Sequence, residues 1–239
     1  MVNMAELDLS QNAIGLEGAG ALAGALGNMV KMTLLYLPKN GIGPEGVGAL
    51  ARALGNMVDM KKLLLGKNKI GPEGAIALAG ALGKMVEMTQ LYLFENGIGP
   101  KGAGALGGAL GNMVNMTELN LDGNDIGPNG AVRALALALG NMVSMRKLFL
   151  RGNKIGPEGA GALARALGNM VNMTELLLRG NSIGPEGASA KLSLSRNNIG
   201  PEGTGALARA LGNMVDMTDL CLCGNSIGPK GAVALAGAL

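Results

Sequence analysis

The sequence predicts an α/β solenoid in which parallel strands line one side and helices line the other. One unit, L-x-L-x-x-N-x-I-G-P-E-G-A-x-A-L-A-x-A-L-G-N-M-V-x-M-T-x, repeats along the whole chain, and self-similarity at such a period is typical of solenoids. Its asparagine recurs nine times, at spacings of 28, 28, 28, 28, 29, 28, 16 and 28 residues, at positions 12, 40, 68, 96, 124, 153, 181, 197 and 225. The chain therefore contains nine units, one of them short.

Each unit carries the signals of one strand and one helix. Leu-x-Leu alternates with period two, which predicts a short strand with both leucines facing inward. Eight units have a proline that suits the first helical position, after a glycine that can serve as N-cap, at positions 44, 72, 100, 128, 157, 185, 201 and 229. Gly55 and its equivalents fit a left-handed residue that ends the helix. Unit two should thus contain strand 35–37, helix 44–54 and a return through Met57 and Met60.

The units are expected to fold only as a stack. A single unit cannot bury its own apolar face, whereas neighbouring units bury a continuous core between them. The asparagine after each strand should lie inside the turn and satisfy backbone groups of neighbouring turns, because a buried amide needs such partners.

The composition favours a folded chain with few polar specialisations. Hydrophobic residues make up 48% and aromatic residues 2%, so Leu, Ala, Met and Ile must supply the core. The apolar fraction argues against disorder, and the net charge of +3 argues against a nucleic-acid partner, whose binding needs clustered basic surface. The chain has no histidine, the commonest general base and metal ligand.

The sequence also gives indications of the compartment in which the protein is found. On one strand Cys221 and Cys223 would be ~6.6 Å apart, which is poor geometry for a disulfide and favours a reducing compartment. Residues 1–31 show no signal-peptide pattern, and the longest charge-free run, 102–117, is too short and too polar to cross a bilayer. We therefore expect a cytoplasmic protein without a membrane partner.

The repeat resembles a known family. L-x-L-x-x-N-x-I-G-x-x-G-A-x-x-L-A-x-x-L, at a period of 28 residues, is similar to the ribonuclease-inhibitor-like class of leucine-rich repeats, as in NOD-like receptor repeat domains and Ran GTPase activators. The resemblance covers the whole chain. It implies an open horseshoe arc with strands on the concave face, helices on the convex face, and protein partners on the concave face.

The resemblance also shapes the expected domain organisation. Residues 1–239 should form a single leucine-rich-repeat domain, with a short irregular unit at 181–196. Because the chain shows no capping repeat, self-association through its ends is expected.

Binding residues are expected where the repeat varies. The strand positions that point away from the core form two columns. The central column holds Asp8, Tyr36, Leu64, Tyr92, Asn120, Phe149, Leu177, Ser193 and Cys221; the outer column holds Ser10, Pro38, Gly66, Phe94, Asp122, Arg151, Arg179, Ser195 and Cys223. All four aromatic residues of the chain fall in these columns. Apolar groups exposed in a row suggest an interface, although aromatic residues also favour strands for their own sake.

Charge varies on the same face. Glu6 and Asp8 make one end acidic, Glu118 with Asp122 makes the middle acidic, and a basic patch comprises Lys147, Arg151, Arg179 and Lys191, interrupted by Glu175. This pattern suits either an acidic partner segment or an ordinary solvated surface. The helical side, where pairs such as Glu45 and Arg52 recur, is expected to serve solubility.

Several local signals are expected to carry no chemistry. Residues 41–46 and 97–102 match the dinucleotide pattern G-x-G-x-x-G, but the other seven units replace its first glycine. The methionines occupy fixed positions where such repeats usually have leucine, so core filling explains them better than copper binding. Two thiols without histidine make a poor metal site. We predict no cofactor and no metal.

The sequence thus predicts a protein-recognition scaffold rather than an enzyme. No nucleophile–base constellation is present, and the predicted partner is a protein or peptide on the concave face. The predicted protein-binding residues are Tyr36, Leu64, Tyr92, Phe94, Asn120, Asp122, Lys147, Phe149, Arg151, Leu177 and Arg179. The alternative, also taken from the resemblance, is a regulator of a small GTPase of the GTPase-activating type.

The short unit is predicted to be a structural defect. Only 16 residues separate Asn181 from Asn197, too few for a return path that also contains a helix of three turns. Strand 192–194 should still pair, while the helix after Pro185 should be a turn or absent. Helices 157–167 and 201–211 would then border a gap.

Overall fold

The fold is known from a computed structural model that describes residues 4–128, 130–167, 170, 172–183, 197, 199–201, 204–205, 208 and 221–237. Within these residues strands and helices alternate, and each strand has three residues. The elements are β1 Glu6–Asp8, α1 Gly15–Leu26, β2 Leu34–Tyr36, α2 Gly43–Leu54, β3 Lys62–Leu64, α3 Gly71–Leu82, β4 Gln90–Tyr92, α4 Gly99–Leu110, β5 Glu118–Asn120, α5 Gly130–Leu139, β6 Lys147–Phe149, α6 Gly156–Leu167, β7 Glu175–Leu177 and α7 Gly228–Ala236.

The seven described strands form one parallel sheet in sequence order, which confirms the predicted solenoid. The central leucines, such as Leu35 and Leu63, pair across neighbouring strands and are fully buried. The second leucine of units two to seven is also buried but lies just past the strand, so that β2 spans 34–36 rather than the predicted 35–37. Its backbone still continues the ladder, since Leu37 N–H donates to Leu64 O at 2.8 Å.

The stack curves because its two sides repeat at different spacings. Neighbouring strands lie ~4.8 Å apart, whereas packed helices need about 8–10 Å between their axes. Since each repeat contributes one strand and one helix, the strands lie on the inner, concave side of the arc. The binding columns predicted from sequence therefore lie on that concave side.

The core lies between the sheet and the helices and is aliphatic. Helix α2 buries Leu50 and Leu54 against the strands, and the return segment adds Met57 and Met60, both fully buried. The methionines at the equivalent positions of the next three units are buried in the same way. The prediction that methionine fills the core is confirmed.

The helix ends differ from the sequence prediction. Proline lies in the first turn, as predicted, and α2 begins one residue early, at Gly43. Gly55 is not left-handed, however: its φ is −60° and its ψ is −11°. The chain continues in right-handed turns, with Met57 N–H donating to Leu54 O at 2.9 Å, so the return needs no left-handed stop. The left-handed residues lie at the other end of the helix instead, as at Gly41 just before it and at Gly43, its first residue, with φ of 64° and 73°.

A ladder of asparagines joins successive repeats on the strand side. The Asn68 side chain donates to Leu37 O at 2.8 Å and to Leu65 O at 2.9 Å, which are carbonyls of two neighbouring turns. Its own backbone N–H donates to the side-chain oxygen of Asn96 at 2.7 Å. Asn68 is fully buried. The predicted role of the repeated asparagine is confirmed.

The short unit falls largely outside the described residues. Strand 192–194, the segment after Pro185 and most of 201–211 are not described, nor are Lys191, Ser193 and Ser195, so the predicted defect stays a prediction. The asparagines on either side are described. Asn181 N–H donates to the Asn197 side-chain oxygen at 2.8 Å, and Asn197 N–H donates to that of Asn225 at 2.7 Å. The ladder thus passes through the 16-residue spacing.

Candidate binding face

The sheet brings the predicted site residues into register. In the central column each member pairs with the next across adjacent strands, in the order Tyr36, Leu64, Tyr92, Asn120, Phe149 and Leu177. Five strand spacings make this row about 24 Å long. All six side chains are half-buried. The result is a mainly apolar strip that contains one polar side chain, the amide of Asn120.

Phe94 of the outer column is held in place by a glycine of the preceding repeat. A Cβ built on Gly66 would lie only 2.3 Å from Cε1 of the Phe94 ring. The ring therefore lies directly over the Gly66 backbone, in space that any side chain at that position would fill. Phe94 is half-buried as a result, and it extends the apolar strip sideways.

Tyr92 is the start of a polar chain across three repeats. Its hydroxyl donates to a carboxylate oxygen of Glu118 in the next repeat. Burial, followed by the hydrogen bond to Glu118, raises the pKa of the Tyr92 phenol above its usual range. Glu118 in turn pairs with Lys147, whose Nζ lies 3.5 Å from its other oxygen. The hydroxyl end of Tyr92 is thereby held by Glu118, while the side chain stays half-buried in the central column.

Asp122 and Arg151 form a second link between repeats, in the outer column. The Arg151 guanidinium contacts Asp122 through Nε at 2.8 Å and through a terminal nitrogen at 2.7 Å. The backbone N–H of Arg151 donates to the other carboxylate oxygen at 2.6 Å. Asp122 is buried, while half of the Arg151 side chain is exposed.

These pairs change the charge pattern expected from sequence. The acidic middle and the basic patch are not separate areas, because Glu118 is paired with Lys147 and Asp122 with Arg151. Among the described members of the basic patch, Arg179 is the one without an ion pair.

At the other end of the sheet, hydrogen bonds from Ser10 lower the pKa of the Asp8 carboxyl.

One repeated surface feature was not predicted from the sequence. The valine of the N-M-V-x-M return is about half exposed in every unit where it is described, at Val30, Val58, Val86, Val114 and Val143. The signal was present, because these valines recur with the repeat.

The glycine-rich turns serve the repeat itself. Gly41 and Gly43 are both left-handed, with φ of 64° and 73°, and Gly43 N–H donates to Asn68 O of the next repeat at 2.9 Å. This amide is thus engaged within the solenoid rather than directed toward a phosphate. Within the described residues no helix is long and apolar enough to cross a membrane, and no cluster of three or more potential metal ligands occurs.

Comparison with known proteins gives one family match. A family model described as Leucine Rich repeat matches most of the chain, over residues 2–23, 29–51, 59–79, 88–107, 112–133, 141–164, 169–190 and 191–208. Among solved structures, a leucine-rich-repeat protein of Leptospira interrogans is similar at 15% identity and a TM-score of 0.28, over 100% of this chain and 88% of that one. No curated protein matches the chain.

Proposed function

The chain belongs to the leucine-rich-repeat family, and we propose that it binds a protein or peptide partner across the central and outer columns of its concave face. Repeats of this family generally serve as scaffolds for protein interaction, and the fold is typically not an enzyme. The observation that carries the proposal is the register-aligned strip from Tyr36 to Leu177. Its apolar side chains are half-buried and face away from the core, in the way that interface residues do.

Two of the aromatic side chains are already fixed before any partner arrives. Phe94 is confined over Gly66, and Tyr92 is tied to Glu118. When a partner packs against them, these two side chains lose little further conformational freedom, and preorganisation of this kind raises affinity. Aromatic residues and arginine are also the usual centres of binding energy in protein interfaces.

The polar residues around the strip favour a partner with both apolar and acidic groups. Arg151 is held by Asp122 but leaves half of its side chain exposed, and the exposed Arg179 follows it in the outer column. A carboxylate of the partner placed there would meet two guanidinium groups while its apolar residues cover Phe149 and Leu177.

The proposal is tested by matched variants of the full chain. Proteins retained from an extract of the source organism are identified by mass spectrometry, and one purified partner is then measured by calorimetry. Phe149→Ala and Tyr92→Ala should each weaken binding by about 2 kcal/mol or more, roughly thirtyfold. Glu45→Ala on the helical side is the control and should leave the affinity unchanged.

Two results would contradict the proposal. One is an equal loss of affinity in the Glu45→Ala control, and the other is full affinity in both concave-face variants. The alternative function, regulation of a small GTPase, has its own assay. Faster GTP hydrolysis by a purified small GTPase in the presence of the chain would favour it.

A further inference from the structure

The strip from Tyr36 to Leu177 has a regular spacing that restricts the shape of a partner. Successive side chains of the central column belong to strands that are paired in register, so they lie ~4.8 Å apart. A partner that follows the strip across the strands must therefore present one side chain about every 5 Å, over about 24 Å, to contact each repeat in turn.

An α-helix matches this spacing better than an extended peptide does. Side chains on one face of a helix recur with every turn, at intervals of ~5.4 Å, whereas those on one face of an extended peptide recur at ~6.6 Å. Over the five intervals of the strip, the helix departs from the strand spacing by about 3 Å. The extended peptide departs from it by about 9 Å, which is nearly two repeats.

Polar residues border the strip on one side. The first residue of each strand points to the same side as the central column, because alternate strand residues share a face. In the described sheet Leu34 is the only apolar member of this inner column. The apolar strip is therefore narrow on this side. A narrow apolar strip beside a polar border is complementary to an amphipathic helix, whose apolar residues also form one stripe beside polar ones.

Two charges of the inner column specify the polar side of such a helix. Glu6 is paired in register with Leu34, and Leu34 with Lys62, so the two charged residues are two strand spacings apart, ~9.6 Å. Glu6 is exposed and Lys62 half-buried, and within the described residues neither belongs to an ion pair, whereas Glu118 and Lys147 neutralise each other. Two helical turns cover ~10.8 Å, so helix residues seven positions apart can contact both charges.

We infer that the partner segment is an amphipathic α-helix that lies across the strands, with its apolar stripe on the central column and, seven positions apart, a basic residue beside Glu6 and an acidic residue beside Lys62. The inference rests on the proposed function, because it names the conformation and the charge pattern of the partner. Six strand spacings separate the strand of Glu6 from that of Leu177, ~29 Å, which is about 19 helical residues. The apolar stripe supplies most of the affinity, while the exposed charges fix the register of the helix on the sheet.

The test is a selection on the full chain from a random library of peptides, each about 20 residues long, displayed on phage. Peptides that bind the parent chain but not Tyr92→Ala or Phe149→Ala, both shown to be folded by circular dichroism, are the concave-face peptides. We expect their apolar residues to recur at spacings of three and four. In a synthetic peptide of this set, proline at a central polar position should weaken binding at least tenfold, because proline breaks a helix. Alanine at the same position should not.

An exchange of charges tests the polar side of the helix. The double variant Glu6→Lys and Lys62→Glu keeps the net charge of the chain. A concave-face peptide with a lysine and a glutamate seven positions apart should bind this variant about threefold more weakly than the parent chain, and exchanging the two residues in the peptide should restore the affinity. The matched control is Lys84→Glu with Glu87→Lys on an exposed return segment, which should leave the affinity unchanged.

Three outcomes would overturn the inference and leave the proposed function standing. The first is a set of concave-face peptides whose apolar residues alternate with period two, or which tolerate the central proline. The second is a peptide that binds the charge-exchanged chain as tightly as the parent chain. The third is a protein partner that requires Tyr92 and Phe149 while the library yields no concave-face peptide. If neither a peptide nor a protein required these two residues, the proposed function itself would be contradicted.

Discussion

Replacing one ladder asparagine should destabilise the fold by an amount that its hydrogen bonds allow us to work out. In Asn96→Ala the N–H of Asn68 loses its acceptor, which lay at 2.7 Å. Leu65 O and Leu93 O each lose one donor but keep the amide of Asn68 or Asn124. One stranded buried donor costs about 1–3 kcal/mol and each lost bond about 0.5–1 kcal/mol. The free energy of unfolding should fall by about 2–5 kcal/mol.

The equivalent residue of the first repeat provides the control. The side chain of Asn12 is exposed and donates to Ser10 O at 3.1 Å, so Asn12→Ala should cost less than about 1 kcal/mol. Urea denaturation followed by circular dichroism measures both variants, and amide exchange at Asn68 reports the stranded N–H directly. Equal losses in the two variants, or unchanged exchange at Asn68 in Asn96→Ala, would refute the ladder argument.

Three more predictions concern other repeats. Gly107→Ala places a methyl group 2.7 Å from the backbone of α5 and should lower the free energy of unfolding by about 1–3 kcal/mol. Gly104→Ala in the same helix meets open space and should raise it by up to about 1 kcal/mol; the same sign for both would contradict the packing. In a difference titration against Tyr92→Phe, the Tyr92 pKa should lie above 10. The protonated phenol therefore stabilises the fold fully below pH 10, and this contribution is lost as the pH rises from 10 through the raised pKa. Glu118→Gln should move that pKa toward its usual value, and an unchanged midpoint would exclude the contact. Asp122→Asn should lower the free energy of unfolding by about 1–2 kcal/mol, since the guanidinium is half exposed, and by less in 1 M NaCl. An unchanged free energy of unfolding at low salt would show that the ion pair contributes nothing to stability.

The repeat itself explains why so much of the fold was predictable. A residue that is the same in every unit, such as the ladder asparagine, meets the same surroundings each time, so its role follows from one unit. The inward leucines and the return methionines were predicted correctly for this reason. The central and outer columns also followed from the two-residue period of the strand, which fixes the side to which each residue points.

Features that depend on two specific neighbours were not predictable in this way. The contacts of Phe94 with Gly66 and of Asp122 with Arg151 need the register between strands and the direction of each side chain, neither of which a single unit contains. The error at Gly55 has a different origin. Glycine after a helix usually signals a left-handed stop, but here the chain continues in right-handed turns because the following methionines are drawn into the core.

Because of the asparagine ladder, repeats of different length can be joined by the same hydrogen bonds on the concave side. The same bond from backbone N–H to side-chain oxygen joins Asn124 to Asn153 across 29 residues at 2.9 Å and Asn181 to Asn197 across 16 residues at 2.8 Å. Strands β5 and β6 keep their register across the 29-residue unit. The extra residue of the 29-residue unit is thus absorbed on the helical side, while the strand register is unchanged. Such a chain can gain a residue during evolution while the row of concave-face side chains keeps its spacing.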